Sequence, residues 1–222
     1  MKLKLILASL ALSCLMAPQL AAQNNDWVNF GRYAEDNKTV AAHPKAVLFG
    51  DSITDIWAAQ RGDFFKENNL VGRGISGQTT SQILLRFRKD VLAHHPKYVA
   101  ILCGVNDIAL NDHYVSLEDT FNNIVSMCDL AKANKIKPII CTTTPASKIV
   151  WRPEVKDGKE QILKFNQMLR DYAKANKIRL VDYAAALQND EGTTSLKYSG
   201  DEIHPNAEGY KVMEALLLKA LK

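Results

Sequence analysis

The run GRGISG, Gly72 to Gly77, reads as G-x-G-x-x-G, follows the short apolar stretch NLV, and precedes TTSQILLRF, which has the look of a helix. Two readings compete. In a dinucleotide-binding fold, the glycines form the turn between a strand and the helix whose N-terminus carries a pyrophosphate. Alternatively they serve another turn where backbone must come close to something. The first reading needs a longer strand before Gly72 and an acidic residue about twenty positions on, at the end of the next strand. NLV is short, and Asp90 falls inside a helical stretch before the next strand begins. The dinucleotide fingerprint is therefore coincidental, and no nucleotide cofactor is expected.

Working outward, short β-branched or apolar runs alternate with helical patterns. Strands are expected at 46–50, 69–75, 98–104, 137–144 and 179–184, and helices at 79–93, 117–134, 159–176 and 206–221. In the last helix Tyr210, Val212, Met213, Leu216, Leu217, Ala220 and Leu221 form an apolar stripe. This alternation implies a parallel α/β sheet with helices on both faces and right-handed crossovers. Ligands of such sheets sit outside the carboxyl ends of the strands, so function is sought in the loops there.

Those loops carry the unusual residues. The first is GDSIT, 50–54, where Ser52 follows strand 46–50. Ser52-x-x-Asp55 also reads as a capping box that merely starts a helix. The second is GISGQTT, 74–80, in which Gly74 is expected to shape a turn. The third is GVND, 104–107, where Asn106 could be a turn residue or an amide donor to an oxyanion. The fourth is DEIHPN, 201–206, which sets His204 three residues after Asp201, with Pro205 holding His204 in extended geometry. Each has a bland explanation alone. Together they supply a nucleophile, a base with an orienting acid, and donors for a developing oxyanion, the parts of an acyl-transfer site.

The blocks Gly50-Asp51-Ser52, Gly77 within GISGQTT, Gly104-Val105-Asn106-Asp107 and Asp201-Glu202-Ile203-His204-Pro205 resemble the SGNH hydrolase superfamily, the GDSL-type lipases and esterases. The resemblance spans essentially all of residues 23–222, with the blocks in family order. In look it is nearest the group holding platelet-activating-factor acetylhydrolase subunits and bacterial carbohydrate acetylesterases. It implies a three-layer α/β/α sandwich with a five-stranded parallel flavodoxin-like sheet. It implies Ser52 as nucleophile, His204 as general base and then acid, and Asp201 as the acid orienting His204. The oxyanion hole it implies is formed by the Ser52 and Gly77 N–H groups and the Asn106 amide. One departure is visible: Gln78 stands where many relatives have Asp.

The first stretch, MKLKLILASLALSCLMAPQLAAQ, reads as a secretory signal peptide over 1–22, with a lipoprotein route through Cys14 ranked second. Its removal takes Lys2 and Lys4 and no acid, lowering the net charge of +4 by two, to +2. That excludes a basic nucleic-acid binder. Cys103, Cys128 and Cys141 then remain, without a C-x-x-C, and are expected to be buried thiols. His43, His94, His95 and His113 lack ligand spacing, so no metal is expected. The loop 145–158, with Trp151-Arg152-Pro153, and the helical Trp57 are candidates for walling the site or for packing. The expected activity is an exported (periplasmic or secreted) serine esterase acting on short acyl groups, acetyl on carbohydrate first. The alternatives are a lysophospholipase or thioesterase for longer chains and a non-catalytic carbohydrate-binding relative.

Overall fold

The computed structural model describes residues 26–41 and 43–222, so the expected signal peptide over 1–22 and Cys14 lie outside the described residues. Five strands, β1 (Ala46–Gly50), β2 (Leu70–Gly74), β3 (Tyr98–Leu102), β4 (Lys137–Cys141) and β5 (Arg179–Val181), pair in parallel in the order β2-β1-β3-β4-β5. This is the flavodoxin-like order, whose switch point lies between β1 and β3. The helices are α1 (Asp36–Thr39), α2 (Ser52–Gln60), α3 (Gly62–Glu67), α4 (Thr80–Asp90), α5 (Val105–Ile108), α6 (Leu117–Ala133), α7 (Gly158–Ala175), α8 (Tyr183–Leu187) and α9 (Ala207–Ala220).

Alternation along each strand builds the layers, because successive side chains face opposite sides of a sheet. Val47, Phe49, Val99, Ile101 and Ile140 pack with Ile83 and Phe87 of α4, Ile124 and Met127 of α6, and Phe165 and Leu169 of α7. Ala46, Leu48, Ala100, Leu102 and Ile139 pack on the other side with Trp57 of α2, Phe65 of α3, Tyr183 of α8, and Tyr210 and Met213 of α9. The three-layer sandwich expected from the family resemblance is the architecture observed.

Several boundaries differ from expectation for identifiable reasons. The fourth strand, expected to run to 144, stops at Cys141. There the side-chain amide of Asn166 on α7 accepts from the Thr143 N–H (2.9 Å) and donates to the Thr143 carbonyl (2.8 Å), replacing a strand partner. The fifth, expected to run to 184, stops at Val181 because Asp182 caps α8, its carboxylate accepting from Ala185 N–H at 3.1 Å. Ser52 is not the cap of α2. Asp51 holds that position and accepts from Ile53 N–H, while Asp55 accepts instead from the hydroxyl and N–H of Ser76. Cys103, Cys128 and Cys141 are free and buried, as expected.

Candidate active site

The glycine run that opened the question is not a phosphate turn. Gly72 and Gly74 lie within β2 itself. Gly74, expected to shape a turn, is instead a point of close packing: a Cβ there would sit 2.2 Å from Asp55 N and 2.6 Å from Asp51 O. Its absence lets α2, and with it the Ser52 loop, lie flat on the sheet. Gly77 alone takes left-handed backbone (φ 81°), with open space around the missing side chain.

At the carboxyl end of β1, Ser52 Oγ lies 2.9 Å from His204 Nε2. His204 Nδ1 lies 2.7 Å from Asp201 Oδ2. The other carboxylate oxygen, Oδ1, accepts from the N–H groups of Ile203 (2.9 Å) and His204 (2.7 Å) and from the Ser199 hydroxyl (3.0 Å). Glu202 takes left-handed backbone between them (φ 66°). That tight turn lets Ile203 enter the core, where Thr144 Oγ1 donates to its carbonyl at 2.8 Å, while His204 meets Ser52. Partial burial disfavours the Asp201 charge, but the His204 side chain and the N–H groups of His204 and Ile203 outweigh it and hold its pKa down to about 2.

Across β1, the third block supplies Asn106 at the start of α5. Its Nδ2 donates to the Gln78 carbonyl at 3.0 Å, and an amide nitrogen has a second hydrogen to give. Among the described residues, neither the Ser52 N–H nor the Gly77 N–H donates to a protein acceptor. Ser52 begins α2, whose first N–H groups have no partner within the helix. The five residues singled out in the sequence therefore meet on one edge of the sheet, drawn from four loops.

Gln78, the departure from the family pattern, is buried and braced at both ends of its side chain. Its Nε2 donates to Val28 O (2.7 Å), and its Oε1 accepts from Arg86 Nε (2.7 Å). Arg86, itself fully buried, also donates to Gly50 O (2.8 Å) and pairs with Asp90 (2.9 Å). A buried cation needs such complete pairing to be tolerated. The residue pattern held no hint that Arg86 would tie the first and second loops together, since an arginine on a helix is ordinarily solvated.

The two candidate tryptophans part company. Trp57 is core, 1% exposed and stacked on Tyr210 and Phe64. Trp151 walls the site, its ring centroid 5.9 Å from that of His204. A cleft of about 450 Å³ lined by Arg32, Tyr33, Asp55 and Arg73 contains neither Ser52 nor His204. The candidate site is marked by the side-chain geometry and not by that hollow. Among the described residues no cluster of His, Cys, Asp or Glu could hold a metal ion, and no helix is long and apolar enough to cross a membrane.

Two further acids sit beneath the site. Burial pushes Asp107 up to about 6 against the hydroxyl and N–H of Thr80. Complete burial pushes Asp51 from 3.8 to about 7, opposed by the Ile53 N–H, and its Oδ2 has no partner among the described residues. A carboxyl whose folded-state pKa is raised keeps a proton that the unfolded chain has released. Stability from this group therefore falls as pH climbs from about 4 to about 7. Asp51→Asn removes that titration while keeping an acceptor for Ile53. We expect the variant to gain thermal stability over wild type at pH 8 and to lose the advantage at pH 4. Parallel melting curves for the two proteins across that range would contradict the assignment.

The family model for GDSL-like lipases and acylhydrolases matches residues 48–212, which hold all four loops. A GDSL-like lipase from Bacteroides thetaiotaomicron superimposes with a TM-score of 0.84 at 43% identity, over 88% of this chain and 98% of that one. The acetylxylan esterase Axe2 of Geobacillus stearothermophilus shares the fold (TM-score 0.66, 20% identity, 82% of this chain and 95% of that one). Among curated relatives, the bovine isoamyl acetate-hydrolyzing esterase 1 homolog is 27% identical over 190 residues, 75% of this chain and 76% of that protein. The uncharacterized lipoprotein YqeF of Bacillus subtilis is 37% identical over 106 residues, 46% of this chain and only 41% of that protein's length.

Proposed function

Since the chain belongs to the GDSL-like lipase/acylhydrolase family and is an ester hydrolase, we propose that it cleaves short acyl esters, acetyl groups on carbohydrate foremost, through Ser52, His204 and Asp201. The observation that carries this reading is the unbroken chain from Ser52 Oγ through the His204 imidazole to Asp201. With Nδ1–H donating to Asp201, Nε2 is left free to accept the Ser52 proton as Oγ attacks the ester carbonyl. The carbonyl oxygen becomes an oxyanion, met by the Ser52 and Gly77 N–H groups and the second hydrogen of Asn106 Nδ2. Asp201 stabilises the imidazolium and stays ionised, being held at about 2. His204 then gives the proton to the departing alkoxide, leaving an acyl-serine. Water, deprotonated by the same imidazole, attacks that ester; collapse returns the proton to Ser52 and releases the acid.

Three features favour a small acyl group on a polar alcohol. The groups around the oxyanion position (Gln78, Asn106, Asn111 and the Trp151 indole) are polar and bonded to one another, so they offer no apolar channel for a long chain. The Trp151 ring stands beside His204, where the alcohol must leave, and an aromatic face there suits the C–H face of a sugar. Two relatives, an isoamyl acetate-hydrolyzing esterase homolog and an acetylxylan esterase, are named for acetate esters. Residues 1–22 are proposed as an export signal, and YqeF, named a lipoprotein, lends weight to the alternative anchoring through Cys14.

Hydrolysis of p-nitrophenyl esters from acetate to decanoate, assayed in cytoplasmic, membrane and exported fractions, tests both parts. We expect a steep preference for acetate, with activity outside the cytoplasm. A preference for decanoate would move the protein to the lysophospholipase or thioesterase reading. Activity confined to the cytoplasmic fraction would rule out export.

A further inference from the structure

We propose that Asn111 and Trp151 form a polarity relay that sets which end of the Asn106 amide faces the oxyanion. The inference rests on Asn106 being an oxyanion donor, as in the proposed function. A primary amide has nearly the same shape either way round, so packing alone does not choose between presenting N–H₂ and presenting C=O. Presented wrongly, Asn106 would set a carbonyl oxygen against the oxyanion and repel it.

The structure supplies a chain with only one consistent polarity. An indole N–H can donate but cannot accept. Trp151 Nε1 donates to Asn111 Oδ1 at 2.8 Å, which obliges Asn111 to present its Nδ2 elsewhere. That Nδ2 donates to Asn106 Oδ1 at 2.7 Å. Asn106 Oδ1 is thereby engaged, and Nδ2 is turned to the Gln78 carbonyl and to the reacting centre. The backbone is bent to make the meeting possible. Leu110 adopts left-handed geometry (φ 53°), which a branched side chain resists, and Asn111 N–H donates to Asn106 O at 3.0 Å. Strain of that kind persists only where the surroundings hold it, and here it delivers Asn111 to Asn106.

The relay has a second consequence. Trp151 belongs to the loop that also walls His204, so a shift of this loop would disturb base and oxyanion donor together. Asn111 and Trp151 are positioning residues on this account, acting through Asn106.

The test is steady-state kinetics on p-nitrophenyl acetate for Asn111→Asp, Trp151→Phe, Asn106→Ala and the double variant Asn106→Ala/Asn111→Asp. Asn111→Asp keeps the acceptor for Trp151 and the side-chain shape but loses the donor to Asn106. We expect kcat to fall roughly tenfold with KM within about twofold, the scale of one lost hydrogen bond expressed in the transition state. Trp151→Phe keeps a ring beside His204 and should lower kcat by about threefold to tenfold. In the Asn106→Ala background, Asn111→Asp should cost less than about twofold, because nothing is left to orient. Thermal melts identify any variant that fails to fold, and Trp151→Phe then decides the matter against the same background. A fall in kcat with Asn106→Ala but none with Asn111→Asp or Trp151→Phe overturns the relay and leaves the proposed function standing. So does a full tenfold loss repeated in the Asn106→Ala background. Unchanged kcat in Asn106→Ala itself removes the oxyanion assignment and the relay with it.

Discussion

Ser52→Ala is expected to lose ester hydrolysis by on the order of 10⁴-fold or more in kcat while the chain keeps its fold. The effect is large because, in the proposed mechanism, the hydroxyl oxygen is the atom that bonds to the acyl carbon. The cost to stability is small. Ser52 is 8% exposed, and its hydroxyl makes one hydrogen bond, to His204, so alanine leaves no large cavity. A stability change within about 1 kcal/mol is expected for deleting one such bond. Kinetics on p-nitrophenyl acetate beside a melting curve checks both halves. Ordinary turnover by a folded variant would remove Ser52 from the chemistry.

Asp201→Asn is expected to lower kcat by roughly 10⁴-fold with little change in KM, although it alters one atom. The reason lies in how the carboxylate is held. Among the described residues, Oδ1 accepts from three donors (Ile203 N–H, His204 N–H and the Ser199 hydroxyl), whereas Oδ2 meets only His204 Nδ1. An asparagine therefore keeps its carbonyl oxygen on the three-donor side and turns its NH₂ toward the imidazole. Nδ1 must then accept, the ring proton moves to Nε2, and Nε2 can no longer take the proton from Ser52. Nitrogen NMR of the histidine ring reads the tautomer directly. A variant whose His204 stays protonated at Nδ1, or which retains a tenth of wild-type kcat, contradicts this argument. The same change has a signature in stability. Asp201, depressed to about 2, contributes stability that is full above the ordinary carboxyl pKa of 3.8 and is lost as pH falls through about 2. Asp201→Asn forgoes that contribution at neutral pH, so its melting temperature should approach that of wild type only in strong acid.

Much of this site was legible before any coordinates. Ser52, Gly77, Asn106, Asp201 and His204 each stand at a chain position where a strand has just ended or a helix is about to begin. In a parallel sheet, such positions all lie on one edge. Local chemistry read alone was less dependable. Ser52-x-x-Asp55 has the letters of a capping box, yet Asp51 takes the cap and Asp55 turns to Ser76. Adjacent residues competing for the same N–H are separated only by backbone geometry, which a pattern of letters does not carry. Trp57 and Trp151 were equivalent candidates in the sequence, and only packing distinguishes the core residue from the one beside His204.

What the sequence by itself determined is the architecture and which residues are candidates for the reacting groups. Strand-and-helix periodicity and residue type are properties of short stretches, and they survive being read one stretch at a time. What only the tertiary structure decided is the support. Asn166 ends β4, Arg86 and Gln78 lock the second loop to the first, and Thr144 holds the His204 turn. Trp151 reaches Asn111 across a gap of 40 residues, and Asn111 donates to Asn106. Each of these is an ordinary polar side chain where it stands in the sequence. Most of these roles arise from a partner that is distant along the chain and close in space, and a single hydrogen bond leaves no periodicity behind.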